Sequence, residues 1–212
     1  DVLTLTVEEY RARSPMGRLL YRLYRNPLVL FVLGPSYLFI LQNRLPLGLM
    51  KSGWRYWTSA MGTNAMIAIV VGLMIWLGGL MPVLLIYLPT SVIAGTIGVW
   101  LFYVQHQFEE THWSKTEDWQ LHEAALEGSS HYVLPQPLRW LTANIGIHHV
   151  HHLYSRIPFY RLPEVLRDNA DLAEAQRLTI WESFRSVNLH LWDEKLQKLM
   201  SFREARRRYD LV

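Results

Sequence analysis

The chain has 212 residues, of which 50% are hydrophobic and 18% are charged, and its net charge at pH 7 is +3. It contains no cysteine, which excludes disulfides, zinc ribbons, iron–sulfur clusters and thiol nucleophiles, so any transition metal must be bound by His, Asp or Glu. Residues 56–108, a stretch of 53 residues, contain no Asp, Glu, Lys or Arg. Such a long uncharged stretch excludes an ordinary soluble enzyme, a disordered tail and a secreted scaffold. The basic residues flank apolar segments, a pattern that indicates membrane topology and no nucleic-acid partner.

Residues 1–63 are predicted to form a cytoplasmic and interfacial segment. Because the sequence starts at Asp1, with no initiator Met or signal peptide, we expect it to begin within a longer protein. Residues 9–25 carry five arginines among leucines and tyrosines, which is typical of a segment at an anionic membrane surface. The apolar run 27–41 would be about 22 Å long as a helix, shorter than the ~30 Å hydrocarbon core. An interfacial or re-entrant segment is therefore favoured over a membrane span.

The uncharged stretch would be about 80 Å long as a helix, which allows two membrane crossings but not three. Helices are predicted at 64–80 and 83–105. The turn between them is expected at Met81 and Pro82, because two glycines and a proline cluster there.

This predicted transmembrane hairpin, residues 64–105, would return the chain to the side on which it started. The basic residues Lys51 and Arg55 assign that side to the cytoplasm by the positive-inside bias. Residues 106–212 should then form a cytoplasmic helical cap.

Two local signals predict helices within this cap. Leu162 and Pro163 open one helix, whose apolar positions continue as far as Leu178. Thr179 and Glu182 have the spacing of a capping box and open another helix.

Four of the nine histidines fall within five residues, at His148, His149, His151 and His152. On a helix, His148, His151 and His152 would share one face, the arrangement by which imidazoles converge on a metal ion. The alternative is a solvated histidine-rich patch or an accidental run. Metal binding is favoured, because a polar imidazole cluster just beyond a membrane hairpin has no packing rationale.

His106, at the end of the second predicted helix, is a further candidate ligand. A lone histidine in that position is more often a cap that complements the helix dipole. Glu109 and Glu110 follow it, and they could be solvated charges, acceptors for an imidazole N–H group, or carboxylate ligands.

The histidine cluster belongs to a longer pattern. Residues 144–152 read Asn-Ile-Gly-Ile-His-His-Val-His-His, and the pattern continues through residues 155–163. This pattern resembles the third histidine box of membrane fatty acid desaturases. Within that family, the chain most resembles bacterial acyl-lipid desaturases of the omega-6 (delta-12) type. Further matching segments, which extend the resemblance over nearly the whole chain, are 3–10, 24–27, 106–109 with Trp113, 124–126, and 128–130 with Tyr132, Leu134 and Pro135.

The resemblance implies an O2-dependent enzyme that introduces a cis double bond into an acyl chain of a membrane lipid. Two irons (Fe) would be held by three histidine boxes, with electrons from a ferredoxin or a small haem carrier. The resemblance assigns His148, His151 and His152 to iron and adds His106 as a ligand. The first two boxes are expected upstream of Asp1, so the chain would be a C-terminal fragment that is inactive by itself.

Three further residues are predicted to support the metal ligands without binding the metal, namely Glu109, Asn144 and His149. The predicted fold class is all-α, with an integral membrane hairpin, an interfacial helix and a cytoplasmic cap that carries the di-iron site. The resemblance implies a bacterial inner membrane with the histidine cluster on the cytoplasmic side.

Two other hypotheses for the function remain open. Fatty acid hydroxylases and carotenoid ketolases use the same chemistry. In them, a substrate held at a different position relative to the metal would gain oxygen, whereas a desaturase removes hydrogen. From a different class, the chain could be a truncated, non-catalytic membrane protein whose histidines bind metal poorly. The upstream sequence would discriminate these readings.

Overall fold

The computed structural model describes residues 2–113 and 120–210. The chain divides into two compact units, one formed by residues 1–20 and 101–212 and the other by residues 21–100. Both are mainly helical, as predicted. The division into a segment at 1–63, a hairpin at 64–105 and a cap at 106–212 refers to the bilayer and stays a prediction.

Two long apolar helices dominate the second half of the unit 21–100. We call Trp54–Gly78 the first long helix and Leu80–His106 the second long helix; each contains an 18-residue stretch with a mean hydropathy of 1.9. At 1.5 Å per residue they are about 38 and 40 Å long, more than the ~30 Å hydrocarbon core. Their large side chains are exposed, among them Trp76 at 79% and Leu77 at 77%. Both helices are therefore long and apolar enough to cross a membrane.

The break between the long helices lies at Gly79, which corrects the turn predicted at Met81 and Pro82. Gly79 has φ 80° and ψ 177°, a conformation that is essentially confined to glycine. Pro82 lies in the first turn of the second long helix, where its missing N–H group costs nothing. The first long helix also begins at Trp54, before the predicted position 64, and residues 54–63 contain no proline that would interrupt it.

The run predicted to be interfacial or re-entrant consists of three short helical pieces. These are a π-helix at Val29–Leu33, an α-helix at Gly34–Ile40 and a 3-10 helix at Gln42–Arg44. Pro35 occupies the first turn of the α-helix. The run is bent by 61° relative to the preceding helix Pro15–Tyr24, which fits a broken span or a re-entrant segment. Its position in a membrane stays a prediction.

The other unit contains two small sheets, which the all-α prediction missed. Strand β1 (Leu5–Thr6) lies parallel to β4 (Leu191–Asp193), and β4 lies antiparallel to β5 (Lys198–Met200). Strand β2 (His131–Val133) lies parallel to β3 (Arg177–Thr179). The core of the first sheet includes side chains that are fully removed from solvent, namely Leu191, Leu199 and Met200.

Short helices lie between and beside the strands of this unit in chain order. The start of a helix at Leu162 and the capping box of Thr179 and Glu182 are confirmed. The helix predicted to reach Leu178 ends at Asp168, because Asn169 adopts a non-helical conformation and Leu178 pairs in strand β3. Among the described residues, the α-helices of this unit besides Pro15–Tyr24 and the end of the second long helix are Val7–Ala12, Leu121–Leu126, Gln136–Leu141, His148–Leu153, Leu162–Asp168, Ala170–Glu174, Ile180–Ser186 and Phe202–Tyr209, and a 3-10 helix lies at Phe159–Arg161.

Candidate metal centre

The histidine cluster forms a six-residue helix, His148–Leu153, which we call the histidine helix. The predicted helical spacing is therefore confirmed. Ile147 and Val150 anchor the helix in a small apolar cluster with Leu162, and all three side chains are at most 2% exposed. This packing fixes which face of the helix presents its imidazoles.

Three imidazoles from two helices converge on one point. The Nε2 atoms of His148 and His152 are 3.0 Å apart, and each lies within 3.3 Å of the Nε2 atom of His106, the last residue of the second long helix. A point equidistant from the three nitrogens in their plane lies about 1.8 Å from each, which is close to the ~2.0–2.1 Å length of a metal–imidazole bond, so the three residues could hold one metal ion. The trio of His106, His148 and His152 therefore has the spacing of a three-nitrogen metal site.

The protonation states of the three imidazoles also favour metal binding. The Nδ1–H group of His106 donates to the Phe102 carbonyl at 2.9 Å, which leaves a lone pair on Nε2. Burial, followed by the neighbouring imidazoles, lowers the pKa of His148 to about 2, and burial also lowers the pKa of His152. Neutral imidazoles are the form that binds transition metals, and nitrogen donors suit iron, copper, nickel and zinc. The donor set thus fits iron.

His151 lies beside the trio but outside it. Its ring stacks on His148 with 5.7 Å between ring centroids. Among the described residues, the group whose ligand atoms lie within 4.8 Å of one another contains His106, His148 and His152. His151 nevertheless lines the same cavity as the trio.

This cavity has a volume of about 890 Å³. Its histidine wall is formed by the trio, His151 and His112, and apolar side chains form much of the remaining wall. A wall of this kind can accept an apolar molecule next to a metal ion. The apolar lining includes Val2, Leu3, Phe102, Trp113, Leu121, Ala124 and Ala125.

Glu109 is directed elsewhere. Its carboxylate forms an ion pair with Lys198 at 3.2 Å, and its carbonyl accepts from the N–H group of Leu199 at 3.1 Å. The structure therefore connects Glu109 to strand β5. The predicted contact with a ligand imidazole is not among its described contacts.

Asn144 and His149 form hydrogen bonds with backbone carbonyls near the histidine helix. The buried Asn144 donates from Nδ2 to the Phe159 carbonyl at 2.9 Å, and its φ of 54° turns the chain toward the helix. His149 is fully buried on a different face from the trio, where Nε2 donates to the Leu172 carbonyl at 2.8 Å. Both residues thus connect the segment around the histidine helix to neighbouring segments, and their predicted support of the metal ligands stays a prediction.

Gln105, which was not among the residues predicted from sequence, links the two histidine-bearing elements. Its side chain is 1% exposed and donates from Nε2 to the Ile145 carbonyl at 3.1 Å. Its own carbonyl accepts from the N–H group of Ser130 at 2.9 Å. An uncharged polar residue at the end of an apolar helix must find such partners when it is buried, and this was the available signal.

Gly146 was also missed. Its carbonyl accepts from the N–H group of Tyr132 at 2.7 Å, and a Cβ atom added at this position would lie 2.3 Å from the Tyr132 carbonyl oxygen. Only glycine allows the chain just before the histidine helix to approach strand β2 this closely.

Comparisons with known proteins add a family assignment to this geometry. The family model described as fatty acid desaturase matches residues 2–184. A curated fatty acid desaturase from Bacillus subtilis (strain 168) is 42% identical over 205 residues, which cover 96% of this chain and 57% of that protein. The chain thus spans a little more than half the length of this relative.

Proposed function

Because this chain belongs to the fatty acid desaturase family, we propose that it contributes part of a di-iron centre that uses O2 to introduce a cis double bond into an acyl chain of a membrane lipid. The family resemblance seen in the sequence is thereby confirmed, and the family is one of oxidoreductases. The observation that carries the proposal is the convergence of three Nε2 atoms at 3.0–3.3 Å.

The residues of the chain have separable tasks in this mechanism. His106, His148 and His152 would hold one iron, with His151 as a further ligand, and bound iron supplies the O2 activation needed to remove hydrogen from an unactivated methylene group. The Phe102 carbonyl keeps the Nε2 lone pair of His106 directed at the site. Burial keeps His148 neutral, so its lone pair is available throughout the physiological pH range. The apolar wall of the cavity would position the acyl chain and exclude water.

The ligand count limits what these residues can do by themselves. Four imidazoles suffice for about one iron, whereas two irons with histidine ligands need roughly twice that number. We therefore infer that further ligands come from residues outside this sequence, and that the 212 residues alone form no double bonds. The electron donor in the proposal is a ferredoxin or a small haem carrier.

We also propose a bilayer arrangement for the two long helices. They would cross a bacterial inner membrane as a hairpin, with Arg55, His106 and His148 on the cytoplasmic side. Single cysteines at Arg55 and Glu110 test this arrangement in a background without cysteine. Both should react with an impermeant maleimide only from the cytoplasmic face, and reaction of Glu110→Cys from the outside would contradict the hairpin.

Metal titration tests the core of the proposal. Purified protein is titrated with Co(II), which replaces iron without air oxidation and reports imidazole binding in its visible spectrum. His152→Ala should weaken Co(II) binding at least about tenfold, because it removes one of three converging donors. His122→Ala is the matched control, since His122 is exposed and should leave binding unchanged. Equal affinities for the two variants would contradict the ligand assignment.

Activity is tested with the whole gene product. Cells that express it with a reductant supply are analysed by gas chromatography of fatty acid methyl esters, and we expect a new diene. His151→Ala should abolish the diene. A hydroxylated product would assign the chain to the hydroxylase alternative, and the absence of any product together with absent metal binding would favour the non-catalytic one.

A further inference from the structure

The unit 21–100 is rich in basic residues. It contains five of them and no Asp or Glu, so its own net charge is +5. A charged side chain near a hydrocarbon core is costly unless an anion or a set of polar groups accompanies it. These basic residues are Arg22, Arg25, Arg44, Lys51 and Arg55.

Arg44, one of these basic residues, lines a cavity. The cavity has a volume of about 320 Å³, within the ~300–1,000 Å³ range of small-molecule sites. Arg44 supplies its charge, and much of its remaining wall is apolar, with Phe39, Ile67 and Val92 among the lining residues. The cavity thus combines one cation with a surface suited to hydrocarbon.

The guanidinium group of Arg44 is held in place by neutral partners. Nη1 donates to Oδ1 of Asn64 at 3.2 Å, and Nη2 donates to the Phe39 carbonyl at 3.0 Å. Asn64 in turn donates to the Arg44 carbonyl at 2.7 Å. A guanidinium has five N–H donors, so these bonds orient the group and leave donors for an anion. A cation that is already oriented loses little further side-chain entropy when it binds an anion.

We propose that this cavity binds a phospholipid, with the lipid phosphate on Arg44 and part of one acyl chain along Phe39 and Val92. Arginine suits phosphate because its planar donors match the phosphate oxygens. The charge of the unit favours an anionic lipid such as phosphatidylglycerol. Inorganic phosphate offers the same oxygens but leaves the apolar wall uncovered, and an apolar helix from another chain would leave Arg44 without an anion. The site is independent of the histidine cluster and of the proposed desaturation.

The test is lipid binding to purified whole protein in detergent, measured by native mass spectrometry and by thermal shift. Three probes are compared: phosphatidylglycerol, diacylglycerol with the same acyl chains, and inorganic phosphate. We expect phosphatidylglycerol to bind with at least about tenfold higher affinity than either other probe, because only it satisfies both the cation and the apolar wall. Equal binding of diacylglycerol or of inorganic phosphate overturns the proposal, as does the absence of bound lipid because another segment fills the cavity.

Variants locate the binding site. Arg44→Gln should weaken phosphatidylglycerol binding about tenfold or more, and Arg44→Lys should restore part of it. Lys51→Gln is the matched control, because it removes the same charge at an exposed position and should change affinity less than about twofold. Val92→Phe should weaken lipid binding while inorganic phosphate binding is unchanged. An equal loss in Lys51→Gln would show a diffuse electrostatic effect and overturn the site.

Discussion

Replacing Gln105 with leucine tests whether the spacing of the histidine trio is set by one buried side chain. The variant keeps the approximate size of the side chain but removes the bond from Nε2 to the Ile145 carbonyl. An unsatisfied buried acceptor costs roughly 1–3 kcal/mol. At about 2–4 °C per kcal/mol for a chain of this size, the unfolding temperature should fall by roughly 2–12 °C.

The same variant should also weaken metal binding. Gln105 adjoins His106, and its partner Ile145 lies three residues before His148, so the lost bond frees the two ligand-bearing segments to move apart. Loss of a group that orients a ligand typically costs about 10–100-fold in metal affinity. Co(II) titration monitored by visible absorbance measures this change directly.

A second core variant separates positioning from stability. Leu191→Ala removes a fully buried side chain in strand β4 and should cost about 2–5 kcal/mol without altering Co(II) affinity. If Gln105→Leu binds Co(II) within twofold of the unmodified chain, or if Leu191→Ala weakens binding equally, Gln105 does not position the site.

Three other predictions concern the backbone and the buried histidines. Gly146→Ala should lower the unfolding temperature sharply, because its Cβ would lie 2.3 Å from the Tyr132 carbonyl oxygen, whereas Gly62→Ala, at an open helical position, should not. Gly79→Ala should cost about 1–3 kcal/mol by thermal unfolding, since φ is 80° there; an unchanged melting curve would contradict that conformation. Metal-free protein should lose stability from pH 7 to pH 5, because burial lowers the pKa of His149 to about 4 while the unfolded chain takes up protons near 6.5. The slope should flatten in His149→Gln, and an unchanged slope would show that His149 does not titrate this way.

Local features of the chain were predictable from sequence, and the reason is that each is decided within a few residues. The capping box at Thr179 needs only Glu182, and the helical phase of the histidine cluster needs only its own spacing. The long apolar helices follow from the absence of charge over 53 residues. Such signals do not depend on which distant segment packs nearby.

Features decided by distant pairing were not predictable. Strand β1 has two residues and exists because Leu5 pairs with Leu191, which lies far away in sequence. The choice of His106 with His148 and His152, leaving His151 aside, likewise depends on how two helices approach. The turn was placed at Met81 and Pro82 for another reason. Two glycines and a proline cluster there, and the proline fits the first turn of a helix whereas Gly79 makes the break.

The bond between the His106 ring and the Phe102 carbonyl couples the site to helix register. That carbonyl belongs to the same helix, one turn earlier, so the imidazole turns with the helix backbone as a unit. One residue inserted in the second long helix would rotate His106 by about 100° and advance it by about 1.5 Å, which removes it from the trio. The number of residues in this apolar helix is therefore constrained by the imidazole at its end as well as by the thickness of the bilayer that we propose it crosses.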